Sequence, residues 1–184
     1  MRKLSAFCFI SLNGFYKGPG EQIDWHSHGD EAYAYSIEQV RAGNILLFGR
    51  VTYDLMAAFW PGAMALEQFP EVASGINAAE KIVFSKTLRQ AAWAHTRIIS
   101  EDLPGTIREL KTKGEKDLTL LGSGTILRQL TEEGLVDEFQ IMIDPVVLGA
   151  GSTLWDMLGQ PLSLRLVKNR IFRNGTLLLY YVPA

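Results

Sequence analysis

A glycine-rich turn between two apolar segments is the first feature of the chain that could bind a charged ligand. Residues 118–121 form a short apolar run typical of a buried strand, and Gly122, Ser123, Gly124 and Thr125 follow it. Because apolar residues then recur at helical spacing, the turn opens a predicted helix. A helix N-terminus presents free backbone N–H groups to anions, and glycine lets a phosphate approach that backbone closely. The turn therefore indicates a phosphate site, unless Ser123 or Thr125 simply caps the helix.

Two further turns carry phosphate-compatible groups directly after predicted strands. The apolar runs at 45–48 and 81–84 are each followed by glycine, hydroxyl or basic residues, namely Gly49, Arg50, Thr52, Ser85 and Lys86. Arg50 is informative because a cation in the first turn of a helix opposes the helix dipole, at a cost of about 0.3–1 kcal/mol if exposed. Its placement is favourable if an anion binds beside it. The alternative is that Arg50 pairs with a carboxylate on the protein surface.

The elements that must position these turns follow from hydrophobic periodicity. Apolar or alternating runs predict strands, longer periodic stretches predict helices, and Asn174-Gly175 predicts a hairpin turn. The predicted strands are residues 4–12, 45–48, 81–84, 97–100, 118–121, 136–143 and the two arms of the hairpin 162–182. Strands that alternate with helices form a mostly parallel sheet, whose ligands bind beyond the carboxyl ends of the strands. We therefore expect the three turns to meet at one sheet edge, around a nucleotide-sized anionic ligand.

Other segments refine this prediction. Residues 31–42 predict a helix, residues 13–30 a long loop of the kind that often forms a lid, and residues 63–79 give no clear assignment. The alternation in the first hairpin arm slips at Val167, which predicts a bulge. Leu127 stands where a dinucleotide fingerprint needs its third glycine, and no Gly-Lys-Ser/Thr follows to make a P-loop. A Rossmann domain and a P-loop enzyme are therefore both disfavoured.

Composition and charge limit the classes of function. The 184 residues are 47% hydrophobic, which suits a single domain spanning residues 1–184. The net charge is −2 and no long basic run occurs, so neither nucleic acid nor an anionic membrane is expected as a partner. The single cysteine, Cys8, excludes an internal disulfide and agrees with a reducing compartment. With no signal peptide or membrane-spanning run apparent, we expect a cytoplasmic protein.

Six short motifs are spread in order along essentially the whole chain. They are Ser11-Leu12-Asn13-Gly14, Ile23-Asp24-Trp25, Gly49-Arg50-Val51-Thr52-Tyr53, Gly122-Ser123-Gly124-Thr125, Leu135-Val136-Asp137-Glu138 and Pro145-Val146-Val147-Leu148-Gly149. Together they resemble the dihydrofolate reductase superfamily, and most closely the reductase domain of the bifunctional riboflavin-biosynthesis deaminase-reductase. This resemblance implies a three-layer α/β/α fold with a mostly parallel central sheet and an antiparallel C-terminal hairpin. It also implies that NADPH lies along the sheet edge.

The resemblance also implies roles for the three turns. Gly49, Arg50 and Thr52 would hold phosphates of NADPH, and Ser85 and Lys86 would flank its adenosine end. The turn of residues 122–125 would bind the pyrophosphate, and the loop after Gly14 would close over the nicotinamide. Two positions depart from the pattern of this branch. Asn13 stands where an aspartate is common, and Ala150 stands where an acidic residue or glycine is usual; both lie where substrate is expected.

The reaction also needs a proton and a substrate pocket. Dihydrofolate reductases place a carboxylate at the start of the helix after the loop, and Asp30 holds a similar position, so we predict that Asp30 supplies the proton. The alternative is that Asp30 only caps the helix. Asn13, Tyr33 and Trp60 are predicted to contact substrate, although aromatic residues at these spacings are more often core. His26 and His28 lack a third ligand nearby, so no metal site is expected.

These predictions lead to three alternatives for function. The first is an NADPH-dependent oxidoreductase acting on a small heterocyclic or carbonyl-type substrate, either pterin- or folate-like or similar to a riboflavin-pathway pyrimidine. The second is a nucleotide-binding protein of this fold without turnover, and the third is a dimeric scaffold with an empty site. Because the hairpin 162–182 is long and apolar, and such edges are usually covered, we expect a homodimer.

Overall fold

A computed structural model of the chain describes residues 1–156 and 158–184. Its strands are β1 (Leu4–Ser11), β2 (Phe15–Lys17), β3 (Ile45–Gly49), β4 (Lys81–Phe84), β5 (Thr96–Ile99), β6 (Leu118–Leu121), β7 (Glu138–Asp144), β8 (Ser152–Thr153), β9 (Leu164–Ile171) and β10 (Leu177–Pro183). Its α-helices are α1 (Asp30–Arg41), α2 (Arg50–Phe59), α3 (Ala63–Gln68), α4 (Pro70–Ala78), α5 (Leu103–Thr112) and α6 (Gly124–Glu132).

One eight-stranded sheet organises the molecule, in the order β5-β4-β3-β6-β1-β7-β10-β9. Every neighbouring pair from β5 to β7 is parallel, and β10 runs antiparallel to both β7 and β9. The short strands β2 and β8 form a separate antiparallel ladder. The mostly parallel sheet with an antiparallel C-terminal hairpin is therefore confirmed.

Helices cover both faces of the sheet because strand side chains alternate between the two faces. From β1, Leu4, Ala6, Cys8 and Ile10 are buried in one hydrophobic cluster with residues of α5 and α6. Phe7 and Phe9 point the other way and pack against the cluster to which α1 contributes. This arrangement is the three-layer α/β/α architecture. Among the described residues, no helix is long and apolar enough to cross a membrane.

The C-terminal hairpin matches its sequence signals. Gly175 adopts a φ of 88°, a left-handed conformation that suits glycine, and its N–H donates to the carbonyl of Phe172. The pairing of β9 with β10 shifts register between Tyr180 and Tyr181, where Val167 is the extra residue, so the predicted bulge is confirmed. The hairpin places β9 at the open edge of the sheet.

The structure differs from the sequence prediction in two segments. The predicted loop at 13–30 contains β2, whose partner β8 lies far away in the chain, so local periodicity gives it no signal. The unassigned segment 63–79 forms α3 and α4. Both helices are short, and Val72 and Ile76 of α4 are buried against the sheet, so tertiary packing rather than local propensity stabilises them.

Candidate functional site

The three predicted turns meet at the carboxyl edge of the sheet. Strands β4, β3 and β6 are adjacent, so the segments that follow them lie side by side. Ser123 joins two of the turns: its Oγ accepts a hydrogen bond of 2.8 Å from the Gly49 N–H and lies 3.0 Å from Oγ1 of Thr52. The predicted convergence of the turns is therefore confirmed, and hydroxyl groups hold two of them in register.

The N-terminus of α6 has no side-chain cap. Gly122 and Ser123 both adopt left-handed backbone conformations, with φ of 55° and 62°, which turn the chain sharply from β6 into the helix. The side chain of Ser123 does not cap α6 because it is directed to Gly49 and Thr52. The capping alternative thus fails for Ser123. No side-chain cap therefore occupies the N–H groups of the first helical turn. Uncapped N–H groups of this kind can bind an anion.

An apolar cavity of about 160 Å³ opens beside this turn. It lies between β1, the ends of β6 and α2, and the segment that follows Gly14. The residues that line it are Phe7, Cys8, Phe9, Tyr16, Lys17, Glu21, Ile23, Val51, Thr52, Leu55, Met56, Leu121, Gly122 and Ser123. An apolar space of about 150 Å³ can hold one benzene ring, so this cavity has room for a single flat ring.

A polar cavity of about 240 Å³ lies at the N-terminus of α6. Its lining residues are Tyr16, Gly124, Thr125, Arg128, Gly151, Ser152, Thr153, Leu154 and Asp156. Tyr16 is shared with the apolar cavity and packs so closely on α6 that a β-carbon at Gly124 would lie 2.7 Å from its ring Cζ. Glycine at position 124 thus admits Tyr16, which stands between the two cavities. Tyr16 has no signal in the sequence because its contact with α6 is a tertiary one.

The charged groups of the apolar cavity neutralise each other. Lys17 forms an ion pair with Glu21 and lies over the ring of Tyr16, 5.0 Å from its centroid. Burial acts to lower the pKa of Lys17, but Glu21 and Tyr16 outweigh it and raise the pKa above its ordinary value, so the lysine stays charged. Burial raises the pKa of the Cys8 thiol to about 12, which makes Cys8 an unreactive core residue rather than a nucleophile.

Three of the predicted cofactor residues, Arg50, Ser85 and Lys86, are not among the described residues that line the two cavities. Arg50, at the start of α2, donates a hydrogen bond of 2.9 Å to Asp54, and both side chains are about half exposed. The sequence left open the alternative that Arg50 pairs with a carboxylate on the protein surface, and the structure shows this pairing. Ser85 Oγ accepts from the N–H of Leu88 at 2.9 Å and shapes the turn after β4, whereas Lys86 is exposed.

The structure does not bring the predicted substrate residues to either cavity. Tyr33 packs on Phe69, and Trp60 donates to the sulfur of Met56, so both aromatic residues serve the helical layer. Asn13 ties the end of β1 to the loop after β7, since its amide exchanges two hydrogen bonds with the backbone of Leu148. These contacts give no support to a substrate role for the three residues.

Asp30 is the first residue of α1 and is exposed. Its side chain makes no capping hydrogen bond, so the capping alternative is not observed. Asp30 is not among the described residues that line the two cavities. The geometry therefore offers no support for Asp30 as the proton donor, and its role stays a prediction.

A buried histidine–aspartate pair lies behind the apolar cavity. Nδ1 of His26 is 2.5 Å from Oδ2 of Asp144, and the two side chains are only 7% and 1% exposed. Oδ1 of the same carboxylate accepts a hydrogen bond of 3.0 Å from Thr176. The His26 ring stacks flat on Phe9 at 4.0 Å, and Phe9 forms part of the cavity wall. The sequence suggested only a metal-ligand role for His26, because its partner Asp144 lies 118 positions away.

His28 completes this cluster at its surface. Its ring meets that of His26 edge to face, with centroids 4.6 Å apart. Burial, followed by the neighbouring His26, lowers the pKa of His28, and Asp144 opposes this shift only in part. Across residues 1–156 and 158–184, no group of three or more His, Cys, Asp or Glu side chains is arranged to bind a metal ion.

The fold defines a class: an α/β/α protein of dihydrofolate-reductase-like architecture, here with two adjoining cavities beside the turn of residues 122–125. Residues 2–178 match the model of the RibD C-terminal domain, and the chain belongs to that family. Two proteins of Bacillus subtilis strain 168 are similar over almost their whole lengths. The uncharacterised protein YyaP is 29% identical, with 98% of this chain and 94% of YyaP covered. The uncharacterised protein YwjB is 26% identical, with 100% and 99% covered.

Solved structures show the same fold. A candidate riboflavin biosynthesis protein from Shewanella sp. PV-4 superposes with a TM-score of 0.75 at 21% identity, covering 100% of this chain and 99% of that chain. A pyrimidine reductase-like protein from Corynebacterium diphtheriae gives a TM-score of 0.62 at 14% identity, covering 100% and 92%. The resemblance inferred from the motifs is therefore confirmed, and the family indicates a reductase-like role of the riboflavin-pathway type.

Proposed function

We propose that this chain is an NADPH-dependent reductase of a small heterocyclic or carbonyl-type substrate. The observation that carries the proposal is the pair of adjoining cavities on either side of Tyr16: an apolar one sized for a ring and a polar one at a helix N-terminus. A dinucleotide has these two parts, a flat nicotinamide ring and a charged pyrophosphate. Membership of the RibD C-terminal domain family supports the same reading.

The residues of the site fit such a cofactor. The uncapped N–H groups at Gly124 and Thr125 would hold the pyrophosphate, with Arg128 as a cation in the same cavity. Arg50 and Lys86, on neighbouring strand ends, would hold the 2′-phosphate. When bound, NADPH supplies a hydride. The apolar walls around Phe7 would orient the nicotinamide ring and exclude water.

The first experiment separates a reductase from a protein that only binds nucleotides. We expect isothermal titration to show saturable binding of NADPH, and the absorbance of NADPH to fall when pterin, dihydrofolate or a ribosylaminopyrimidine is added. Binding without oxidation across the panel would favour the nucleotide-binding alternative. If NADPH does not bind at all, the proposal is wrong.

We also propose that the chain forms a homodimer through the open edge at β9. Among residues 1–156 and 158–184, this strand pairs with β10 alone, and Leu166, Val167 and Ile171 are exposed along it. Although β9 also carries Arg165, Lys168 and Arg170, a long edge strand with exposed apolar side chains is usually covered.

Light scattering after gel filtration at micromolar concentration should therefore give twice the chain mass of 20.5 kDa. Val167→Lys should shift the protein to the monomer, because a charged edge residue opposes association. The same substitution at Leu66, which is exposed on α3, is the matched control and should leave the dimer intact. A monomeric wild-type protein would contradict the proposal.

A further inference from the structure

The wall of the apolar cavity that Phe9 forms is supported from behind by other aromatic rings. The His26 ring lies parallel to the Phe9 ring, with an angle of 2° between their planes and 4.0 Å between their centroids. Trp25 meets the same Phe9 ring edge-on, with the centroids 5.5 Å apart. Two neighbouring residues of the segment 13–30 thus restrain the Phe9 ring from two directions, one at its face and one at its edge.

Asp144 fixes the orientation of the His26 ring. It is the last residue of β7, and it lies opposite Ser11 of β1 in the parallel ladder, so its backbone belongs to the sheet. One of its carboxylate oxygens is 2.5 Å from Nδ1 of His26, and the other accepts a hydrogen bond of 3.0 Å from Thr176. Because hydrogen bonds are directional, this contact fixes the plane of the imidazole as well as its place. A chain of contacts therefore runs from the sheet through Asp144 and His26 to Phe9.

A polar pair is a costly support at this position. Both side chains are almost fully buried, and the desolvation of buried polar groups opposes the energy gained by pairing them. An apolar side chain could pack on Phe9 without that cost, but it would have no directional bond to hold it in one orientation. Orientation is therefore what the pair adds. Hydride transfer depends on it, since a misplacement of about 1 Å can reduce the rate by about a hundredfold.

We propose that His26, fixed by Asp144, is a positioning residue that holds the Phe9 wall against the nicotinamide ring. This inference rests on the proposed function, which places that ring in the apolar cavity. His26 acts through Phe9, because Phe9 is among the described residues that line the cavity and His26 is not. Without this support, Phe9 and the nicotinamide gain freedom to move. The chemical step then slows, while a cofactor held mainly at its phosphates still binds.

A double variant, His26→Leu with Asp144→Val, separates positioning from stability. Replacing both partners of a buried polar pair by apolar side chains is often neutral in stability, so the protein should stay folded. With saturating NADPH and a compound that oxidises it, we expect the single-turnover rate of hydride transfer to fall by about 10- to 100-fold, because the wall is no longer held in one orientation. The Kd for NADPH should change little. The fluorescence of the bound nicotinamide should fall, because its ring is less restrained.

Two further variants provide the controls. Asp144→Asn keeps an acceptor oxygen for His26 and should retain most of the wild-type rate and fluorescence. Ile107→Ala destabilises the fold by removing a fully buried side chain of α5, on the opposite face of the sheet from Phe9, and should leave both readouts unchanged. If Ile107→Ala slows hydride transfer as much as the double variant does, the effect is one of stability and the inference is overturned. Wild-type rate and fluorescence in the double variant would also overturn it.

The outcome can be told apart from a failure of the proposed function. If NADPH binds but no compound oxidises it, the fluorescence of the bound nicotinamide decides. If NADPH does not bind, the reductase proposal fails, and the support of the wall is then judged by NMR of protein labelled at its phenylalanine rings. We expect the Phe9 ring to flip about tenfold faster in the double variant than in the wild type, a change equivalent to the loss of one hydrogen bond. Equal flip rates in the two proteins would overturn the inference.

Discussion

Replacing His26 with alanine should lower the free energy of unfolding by about 3–5 kcal/mol, because the change removes a buried ring and leaves the buried carboxylate of Asp144 without one hydrogen-bond partner. Asp144 is 1% exposed and would keep only the hydrogen bond from Thr176. The same change removes the ring that stacks on Phe9, so the segment of residues 13–30 and one wall of the apolar cavity lose a packing contact. Urea denaturation followed by tryptophan fluorescence measures the loss.

Two companion variants separate the contributions to this effect. His95→Asn alters an exposed histidine whose φ is 59°, a conformation that asparagine tolerates, and it should change the stability by less than about 0.5 kcal/mol. Asp144→Asn keeps an acceptor oxygen for His26 but removes the charge. A loss well below that of His26→Ala would indicate that the hydrogen bond matters more than the charge. A His26→Ala loss below about 1 kcal/mol would show that the pair contributes no more than an exposed ion pair.

Arg50→Ala should weaken NADPH binding by about 1.5–3 kcal/mol, the range for a hydrogen bond to a charged group, and leave NADH binding nearly unchanged. The reason is that NADPH alone carries the 2′-phosphate with which we propose Arg50 pairs. Its partner in the structure, Asp54, lies one turn further along α2, and both groups are about half exposed. Exposed pairs of this spacing are worth about 0.3–0.5 kcal/mol, so a phosphate can displace Asp54.

Asp54→Asn is the matched control for this prediction and should act in the opposite direction. It frees Arg50 from its ion pair and removes a negative charge, so NADPH binding should be unchanged or tighter. For the wild-type protein, NADPH should bind more tightly than NADH, and the difference should shrink as salt is raised, because exposed charges are screened. If isothermal titration shows Arg50→Ala weakening both cofactors equally, Arg50 holds the shared pyrophosphate instead. If neither affinity changes, Arg50 belongs only to its pair with Asp54.

The sequence alone determined the sheet and the edge at which the three turns meet. Continuous apolar runs such as 118–121 predict buried parallel strands because both faces of such strands are covered. The Asn174-Gly175 turn and the slip at Val167 predict the hairpin and its bulge, since turn and bulge conformations are local properties of the backbone. The sequence also predicted that the polar turns after β3, β4 and β6 lie together, because the carboxyl ends of parallel strands meet at a common edge of the sheet.

Tertiary structure alone decided which side chains form the two cavities and which are occupied elsewhere. Tyr16 contacts Gly124, and His26 contacts Asp144, although more than a hundred residues of sequence separate the members of each pair. The hydrophobic periodicity of a sequence does not predict such contacts. Asn13 and Trp60 have the chemistry of site residues but are held by other hydrogen bonds. A residue's type and local spacing are fixed by the sequence around it. Its neighbours in space depend on how distant segments pack, and that packing decides whether a polar group meets a ligand or another part of the protein.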